Sequence, residues 1–157
     1  MRLTSAAFQA GAEIPSHYTS DADDVSPELS WKDAPKETKS FALIMHDPDA
    51  PRTGGFTHWV IYNIAAGAGH IEENVPNEKE IAGVGTQGKT DSGEIGYVGP
   101  APPSGVHRYF FRLFALDSRL ELGPGATHKQ VNAAMKGHIL AEAELMGTYE
   151  KKSQRVA

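Results

Sequence analysis

The 157-residue sequence contains no cysteine. This excludes disulfide bonds, cysteine-ligated zinc or iron–sulfur sites, and cysteine nucleophiles. Positive charge is also scarce: 15 Lys and Arg stand against 20 Asp and Glu, for a net charge of −5. Because the basic residues are scattered along the chain, a nucleic-acid-binding surface or a polybasic membrane anchor is not expected.

Long apolar runs are missing as well. The run Phe41–Met45 is typical of the longest ones, and a membrane-spanning helix needs about 20 such residues. The first 15 residues hold no continuous apolar stretch of signal-peptide length. We therefore expect no membrane span and a cytoplasmic location.

Proline and glycine, in contrast, are plentiful, with 10 and 16 copies. They separate short runs rich in aromatic and β-branched residues, which predicts a mainly β protein. The length suits one domain over residues 1–157. Strands are predicted at Ser40–Asp47, Trp59–Ile64 and Arg108–Leu116. The first of these is apolar on both faces and should lie in the middle of its sheet.

One helix is predicted, at Lys129–Met146. Thr127 and Gln130 form a capping box before it, and Gly147 would end it. Apolar side chains recur at helical spacing from Val131 to Met146, which indicates core packing. The polar residues 148–157 are expected to fray.

The segment Gly83–Thr90 matches the phosphate-binding pattern G-x-x-x-x-G-K-[ST] at every position. Such a loop works only between a buried strand and a helix, because the helix N-terminus supplies the amides that hold the phosphates. The residues before it are charged, and those after it contain glycines and a proline that oppose a helix. We therefore interpret Gly83–Thr90 as a surface loop.

Candidate binding residues stand where the predicted strands start and end. Asp47 closes the first strand, because Pro48 and Pro51 cannot donate to a sheet ladder. His58 precedes the second strand, and antiparallel pairing would bring it within hydrogen-bonding reach of Asp47. His107 opens the third strand, and a period of two places Tyr109 on the same face. These groups beside a Gly/Pro loop at residues 99–105 would suit a small anion such as a phosphate monoester.

Each of these residues alone is more often structural than functional, and three other kinds of site deserve comparison. A metal site has enough ligand types, but His46 and Asp47 are adjacent in a strand and must point to opposite faces. A serine hydrolase lacks a G-x-S-x-G turn around Ser92 or Ser104. A phosphoesterase has neither an evident nucleophile nor a metal set.

The same residues make the sequence resemble the phosphatidylethanolamine-binding protein family, also called Raf kinase inhibitor proteins. The resemblance rests on D-P-D-A-P at residues 47–51, H-W-V at 58–60, Y-V-G-P-A-P-P at 97–103 and H-R-Y at 107–109. It covers nearly the whole chain, including V-S-P at 25–27 and Trp31, and is closest to the bacterial and archaeal branch. Pro100 and Ala101 depart from the Gly or Ser that many members carry, which removes one backbone N–H.

The resemblance implies a β-sandwich of two antiparallel sheets with a C-terminal helix, and an anion pocket at a sheet edge. The implied pocket residues are Asp47, Phe56, His58, Gly99, Pro102, His107 and Tyr109. Arg108 would point away from the pocket, and the Ala50–Pro51 bond would be cis.

The sequence thus favours a binding protein without enzymatic activity, cofactor or metal. Its expected ligand is a phosphate-bearing small molecule, a phospholipid head group or a phosphorylated side chain. The alternative is a regulator that inhibits a kinase or protease partner and uses the pocket as a switch. A homodimer is compatible with either function.

Overall fold

A computed structural model describes residues 1–152 of the chain. Along these residues the regular elements are β1 (Arg2–Thr4), a 3-10 turn (Ser16–Tyr18), β2 (Leu29–Lys32), β3 (Ser40–Asp47), β4 (Phe56–Ala65), β5 (His70–Ile71), β6 (Glu80–Ile81), β7 (Gly85–Gln87), β8 (Val106–Leu116), α1 (His128–Met135) and β9 (Ile139–Glu150). The strands form two antiparallel sheets, one in the order β1-β2-β5 and one in the order β6-β7-β4-β3-β8-β9. The predicted mainly β class with two antiparallel sheets is confirmed.

Strand β3 lies in the middle of the larger sheet, between β4 and β8, as its sequence predicts. Phe41, Leu43 and Met45 point to one side and join the main core with residues of the smaller sheet. Ala42 and Ile44 point to the other side and pack in a second cluster that includes Val131 and Met135 of α1. Burial of alternate residues on both faces explains why this strand is a continuous apolar run.

The predicted helix Lys129–Met146 is wrong in its second half. The capping box of Thr127 and Gln130 is present, but α1 ends at Met135, and Gly137 adopts a φ of 84°. From Ile139 the chain becomes β9, which pairs with β8 along its whole length. Hydrogen bonds to β8 outweigh the helix propensity of the Ala-, Glu- and Leu-rich sequence, because tertiary pairing routinely overrides local preference.

Residues Thr148 to Glu150, expected to fray, are part of the paired strand β9. Residues 153–157 lie outside the described part of the chain. Within residues 1–152, no helix has the length and apolar character required to cross a membrane.

The segment Gly83–Thr90 does not form a phosphate-binding loop. Residues Gly85–Gln87 are β7, which pairs antiparallel with β4, and the next helix begins only at His128. The amides that would face a phosphate are already used: Gly88 N–H donates to Val60 O at 2.8 Å, and Lys89 N–H donates to Ala126 O at 2.9 Å.

Candidate functional site

The candidate site lies at one edge of the larger sheet, where β3 ends and β4 and β8 begin. Antiparallel pairing on both sides of β3 brings these three strand ends together. A cavity of about 360 Å³ opens there. Its lining residues are Asp47, Ala50, Pro51, Arg52, Phe56, His58, Val98, Gly99, Ala101, Pro102, Pro103 and His107. Six of the seven residues named from the sequence are in this lining, and most of the other side chains in it are apolar.

Asp47 is paired with His107 rather than with His58. Its Oδ2 lies 2.6 Å from His107 Nδ1, and the two side chains are only 3% and 8% exposed. The other oxygen, Oδ1, accepts the backbone N–H of Asp49 at 2.7 Å. The expected hydrogen bond to His58 is therefore wrong, because Asp47 stands between two strands and its carboxylate is bound by the histidine from the β8 side.

His58 is held by the loop that follows β7. Its Nδ1 donates to Val98 O at 2.7 Å, and Val98 N–H donates back to His58 O at 3.0 Å. Burial lowers the pKa of the His58 imidazole below its usual value, and the bond to the Val98 carbonyl offsets this only in part. His58 is consequently neutral near pH 7.

The two hydrogen bonds fix the tautomers of both histidines. A carbonyl and a carboxylate accept but cannot donate, so Nδ1 carries the hydrogen in His58 and in His107. Within residues 1–152, neither Nε2 atom has a hydrogen-bond partner. A neutral ring therefore presents its Nε2 to the pocket as an acceptor, and that atom becomes a donor only when the ring takes up a proton.

Tyr109 lies behind the histidines and is absent from the cavity lining. Its ring is 5.3 Å from the ring of His58 and 6.4 Å from that of His107. Burial raises the pKa of the Tyr109 hydroxyl, and the nearby Asp47 carboxylate raises it further. The hydroxyl is buried next to that carboxylate. Tyr109 thus packs against both imidazoles and places its hydroxyl beside the carboxylate that binds His107.

The Gly/Pro loop is anchored from behind by the segment after the 3-10 turn. Gly99 N–H donates to Asp24 Oδ1 at 2.8 Å, and Ser20 N–H donates to Pro100 O at 3.1 Å. A Cβ on Gly99 would come within 2.2 Å of that carboxylate oxygen, so only glycine fits. Sequence reasoning missed Asp24, because it is 75 residues away and no local pattern connects the two. The Gly99 amide is already bonded and is not a free donor for a ligand.

The wall opposite this loop is built on the chain between β3 and β4. Phe56 packs its ring 4.8 Å from that of His58, as the expected aromatic wall, and Arg52 lies over Phe56. The peptide bond between Ala50 and Pro51 is trans, so the expected cis bond is wrong. The chain reverses instead at Gly54 and Gly55, whose φ values are 80° and 75°.

Arg108 points away from the pocket, as the alternation of β8 predicts. Its guanidinium and its backbone N–H bind Asp49 through three contacts of 2.9 Å. This pairing lowers the pKa of the Asp49 carboxyl to about 2.

The structure gives no support to the competing sites. His46 is on the other face of β3, where its Nδ1 lies 2.9 Å from Thr57 Oγ1. Among residues 1–152 no group of three or more His, Asp or Glu side chains could hold a metal ion. Ser92 is bonded to Thr90 and has no histidine partner in the described residues.

Comparisons with known proteins identify a family and related chains. The family model described as "Phosphatidylethanolamine-binding protein" matches residues 4–150. A UPF0098 protein of Methanothermobacter thermautotrophicus is 52% identical over 151 residues, covering 96% of this chain and 99% of that protein. A UPF0098 protein of Aquifex aeolicus is 48% identical and covers 96% of this chain and 89% of that protein.

Two crystal structures share the fold. A phosphatidylethanolamine-binding protein homolog from Chlamydia trachomatis has a TM-score of 0.89 and 43% identity, covering 96% of this chain and 97% of that one. Escherichia coli YbcL, described as a member of the mammalian family, has a TM-score of 0.87 and 28% identity, covering 96% and 98%.

Proposed function

The chain belongs to the phosphatidylethanolamine-binding protein family, and we propose that it is a binding protein, not an enzyme, which holds a phosphorylated group in the pocket between Asp47, His58 and His107. Membership of a family shows the fold but does not by itself choose a ligand. The proposal therefore depends on the chemistry of the pocket.

The observation that carries the proposal is the pair of imidazoles anchored through Nδ1. Each Nδ1 is fixed at 2.6–2.7 Å by an acceptor, which leaves both Nε2 atoms for a ligand. An oxyanion accepts hydrogen bonds from imidazolium rings, and charge-assisted bonds of this kind are the stronger ones. Asp47 orients the His107 ring, since its Oδ2 lies 2.6 Å from Nδ1.

The state of the polar groups in the lining supports binding rather than hydrolysis. None of the twelve lining residues is a Ser, Thr or Lys, and the one carboxylate, Asp47, already accepts hydrogen bonds at both oxygens, from Asp49 N–H and from His107. The proline and aromatic walls suit the organic part of a phosphate ester, whether that is a small molecule, a lipid head group or a modified side chain. We propose the cytoplasm as its location.

Calorimetric titration with phenyl phosphate tests the proposal. We expect measurable binding by the wild-type protein, weakened by about 1.5–3 kcal/mol in His107→Ala, the value of one hydrogen bond to a charged group. His138→Ala is the matched control, because His138 Nδ1 also contacts an aspartate, Asp117, at 2.8 Å but is exposed and outside the pocket.

Proton uptake gives a second, independent measurement. Because burial keeps His58 neutral near pH 7 and its Nε2 needs a proton to donate, binding at pH 7.5 should take up protons, visible as a dependence of the titration enthalpy on the buffer's ionisation enthalpy. Affinity should peak slightly below neutral pH, since phosphate esters lose their second charge below a pKa of about 6. No binding, or binding indifferent to His107→Ala, refutes the proposal. Binding to phosphorylated proteins alone would favour the regulatory alternative.

A further inference from the structure

Arg52 is a charged side chain of the pocket that the sequence did not single out. It follows the D-P-D-A-P turn, and its backbone is fixed there: Arg52 N–H donates to Ala50 O at 2.7 Å, and Gly55 N–H donates to Arg52 O at 3.1 Å. Its guanidinium carbon lies 5.5 Å from the centroid of Phe56. Since Phe56 in turn packs against His58, the cation, the phenyl ring and the imidazole follow one another along one wall.

The formal charges of the lining show what Arg52 contributes. The lining contains one carboxylate, that of Asp47, and one permanent cation, that of Arg52. His58 is neutral near pH 7 because burial lowers its pKa. Without Arg52 the lining would meet an incoming anion with the buried charge of Asp47 and with no permanent cation.

Arg52 is also free to meet a ligand. Within residues 1–152 it makes no ion pair, whereas Arg108, the other cation near the turn, is bound by Asp49 through both guanidinium and backbone. A guanidinium that stacks on an aromatic ring still keeps its N–H groups at the edge, where they can bind an oxyanion.

We infer that Arg52 determines which ligand charge the pocket prefers. Because of Arg52, the pocket selects dianionic phosphate monoesters with an apolar or aromatic substituent over monoanions of the same shape. This inference rests on the proposed function and makes it specific. The imidazoles bind the oxyanion at the base of the pocket, and Arg52 compensates its second negative charge from the wall. Phe56, Pro51 and Pro102 contact the substituent.

Phenyl phosphate and phenyl sulfate test the inference, because they are nearly identical in shape and differ by one charge at pH 7.5. We expect the wild-type protein to bind phenyl phosphate about tenfold more tightly than phenyl sulfate, the low end for one charged hydrogen bond since Arg52 is exposed. Arg52→Gln should lose most of this preference by weakening phenyl phosphate about tenfold and phenyl sulfate about twofold or less. Arg52→Lys should retain part of it, since the charge stays but the planar fork is lost.

Arg119→Gln is the matched control. It removes the same charge from an exposed arginine beside Asn63, toward the opposite end of β4, and should leave both affinities unchanged. If the wild type binds phenyl phosphate and His107→Ala weakens it but Arg52→Gln does not change the ratio of the two affinities, the inference on Arg52 fails and the proposed function stands. If the wild type binds neither compound, both fail.

Discussion

The buried Asp47–His107 pair should stabilise the protein far more than an exposed pair of similar geometry. The chain contains both kinds. Asp47 and His107 are 2.6 Å apart with side chains 3% and 8% exposed, and Asp117 and His138 are 2.8 Å apart with side chains 44% and 46% exposed. The two contacts differ mainly in burial, so comparing them isolates the effect of desolvation.

The expected loss of stability in each variant depends on the charged group that the substitution leaves without its partner. His107→Ala leaves the buried carboxylate of Asp47 without its main partner, and breaking a buried pair in this way costs about 3–5 kcal/mol. The bond from Asp49 N–H to Asp47 Oδ1 remains, and water can reach the cavity, so we expect about 2–3 kcal/mol. His138→Ala should cost less than about 1 kcal/mol, the range of exposed ion pairs.

Urea denaturation of the two double-mutant cycles measures both coupling energies. For the buried pair, Asp47→Ala/His107→Ala should be less destabilised than the sum of the single variants, by about 1.5–3 kcal/mol. The loss in His107→Ala should also shrink as pH falls from 7 to 4.5. In this variant the unpartnered buried carboxylate of Asp47 binds a proton more readily in the folded than in the unfolded state, so the stability of the variant falls as pH rises. Additive losses independent of pH would refute the reasoning.

Two further predictions concern the loop and the other histidines. Gly55→Ala should destabilise the protein by more than the about 1–2 kcal/mol of a left-handed alanine, because its Cβ would lie 2.3 Å from the carbonyl oxygen at the end of β3. Gly54→Ala is the control, since Gly54 has a similar φ but nothing within 4 Å of its Cβ. Equal losses of stability in the two variants, measured by thermal unfolding, would contradict this prediction. Burial lowers the pKa of both His58 and His46, so the unfolded state binds more protons than the folded state below about pH 6.5. The free energy of unfolding should therefore decrease as pH decreases, by at most about 1.4 kcal/mol per pH unit for each group. The more buried His58 should contribute the larger share. Urea unfolding measured from pH 7.5 to 5 tests this, and a flat profile would exclude it.

Most of the site could be predicted because its signals are local. Pro48 and Pro51 mark where β3 ends, and the alternation along β8 places His107 and Tyr109 on one face and Arg108 on the other. These features need only the two-residue period of a strand and the missing N–H of proline. A separate local signal, apolar residues on both faces of Ser40–Asp47, identified β3 as the central strand.

The partner of Asp47 required information that the sequence does not hold locally. A central strand has a neighbour on each side, and both β4 and β8 begin with or near a histidine at the same edge. Loop length favours His58, which is 11 residues away along the chain, over His107, which is 60 residues away. The pairing of β3 with β8, together with the register shift between Met45 and His46, decides the outcome.

The error in the C-terminal region has a different cause, since two signals competed in one segment. Val131 and Met135 are buried with helical spacing, whereas Leu145, Gly147 and Tyr149 are buried in alternation. Gly147 is itself fixed by packing, because a Cβ there would lie 2.6 Å from Ile14 and 2.7 Å from Phe8. The two-residue period that ends in Tyr149 was the signal in the sequence that indicated a strand. The pairing of β9 with β8 places Tyr149 opposite His107. The edge strand therefore contributes to the support of the pocket: Tyr149 donates to Asp21 at 2.6 Å, in the same segment whose Asp24 anchors the Gly/Pro loop.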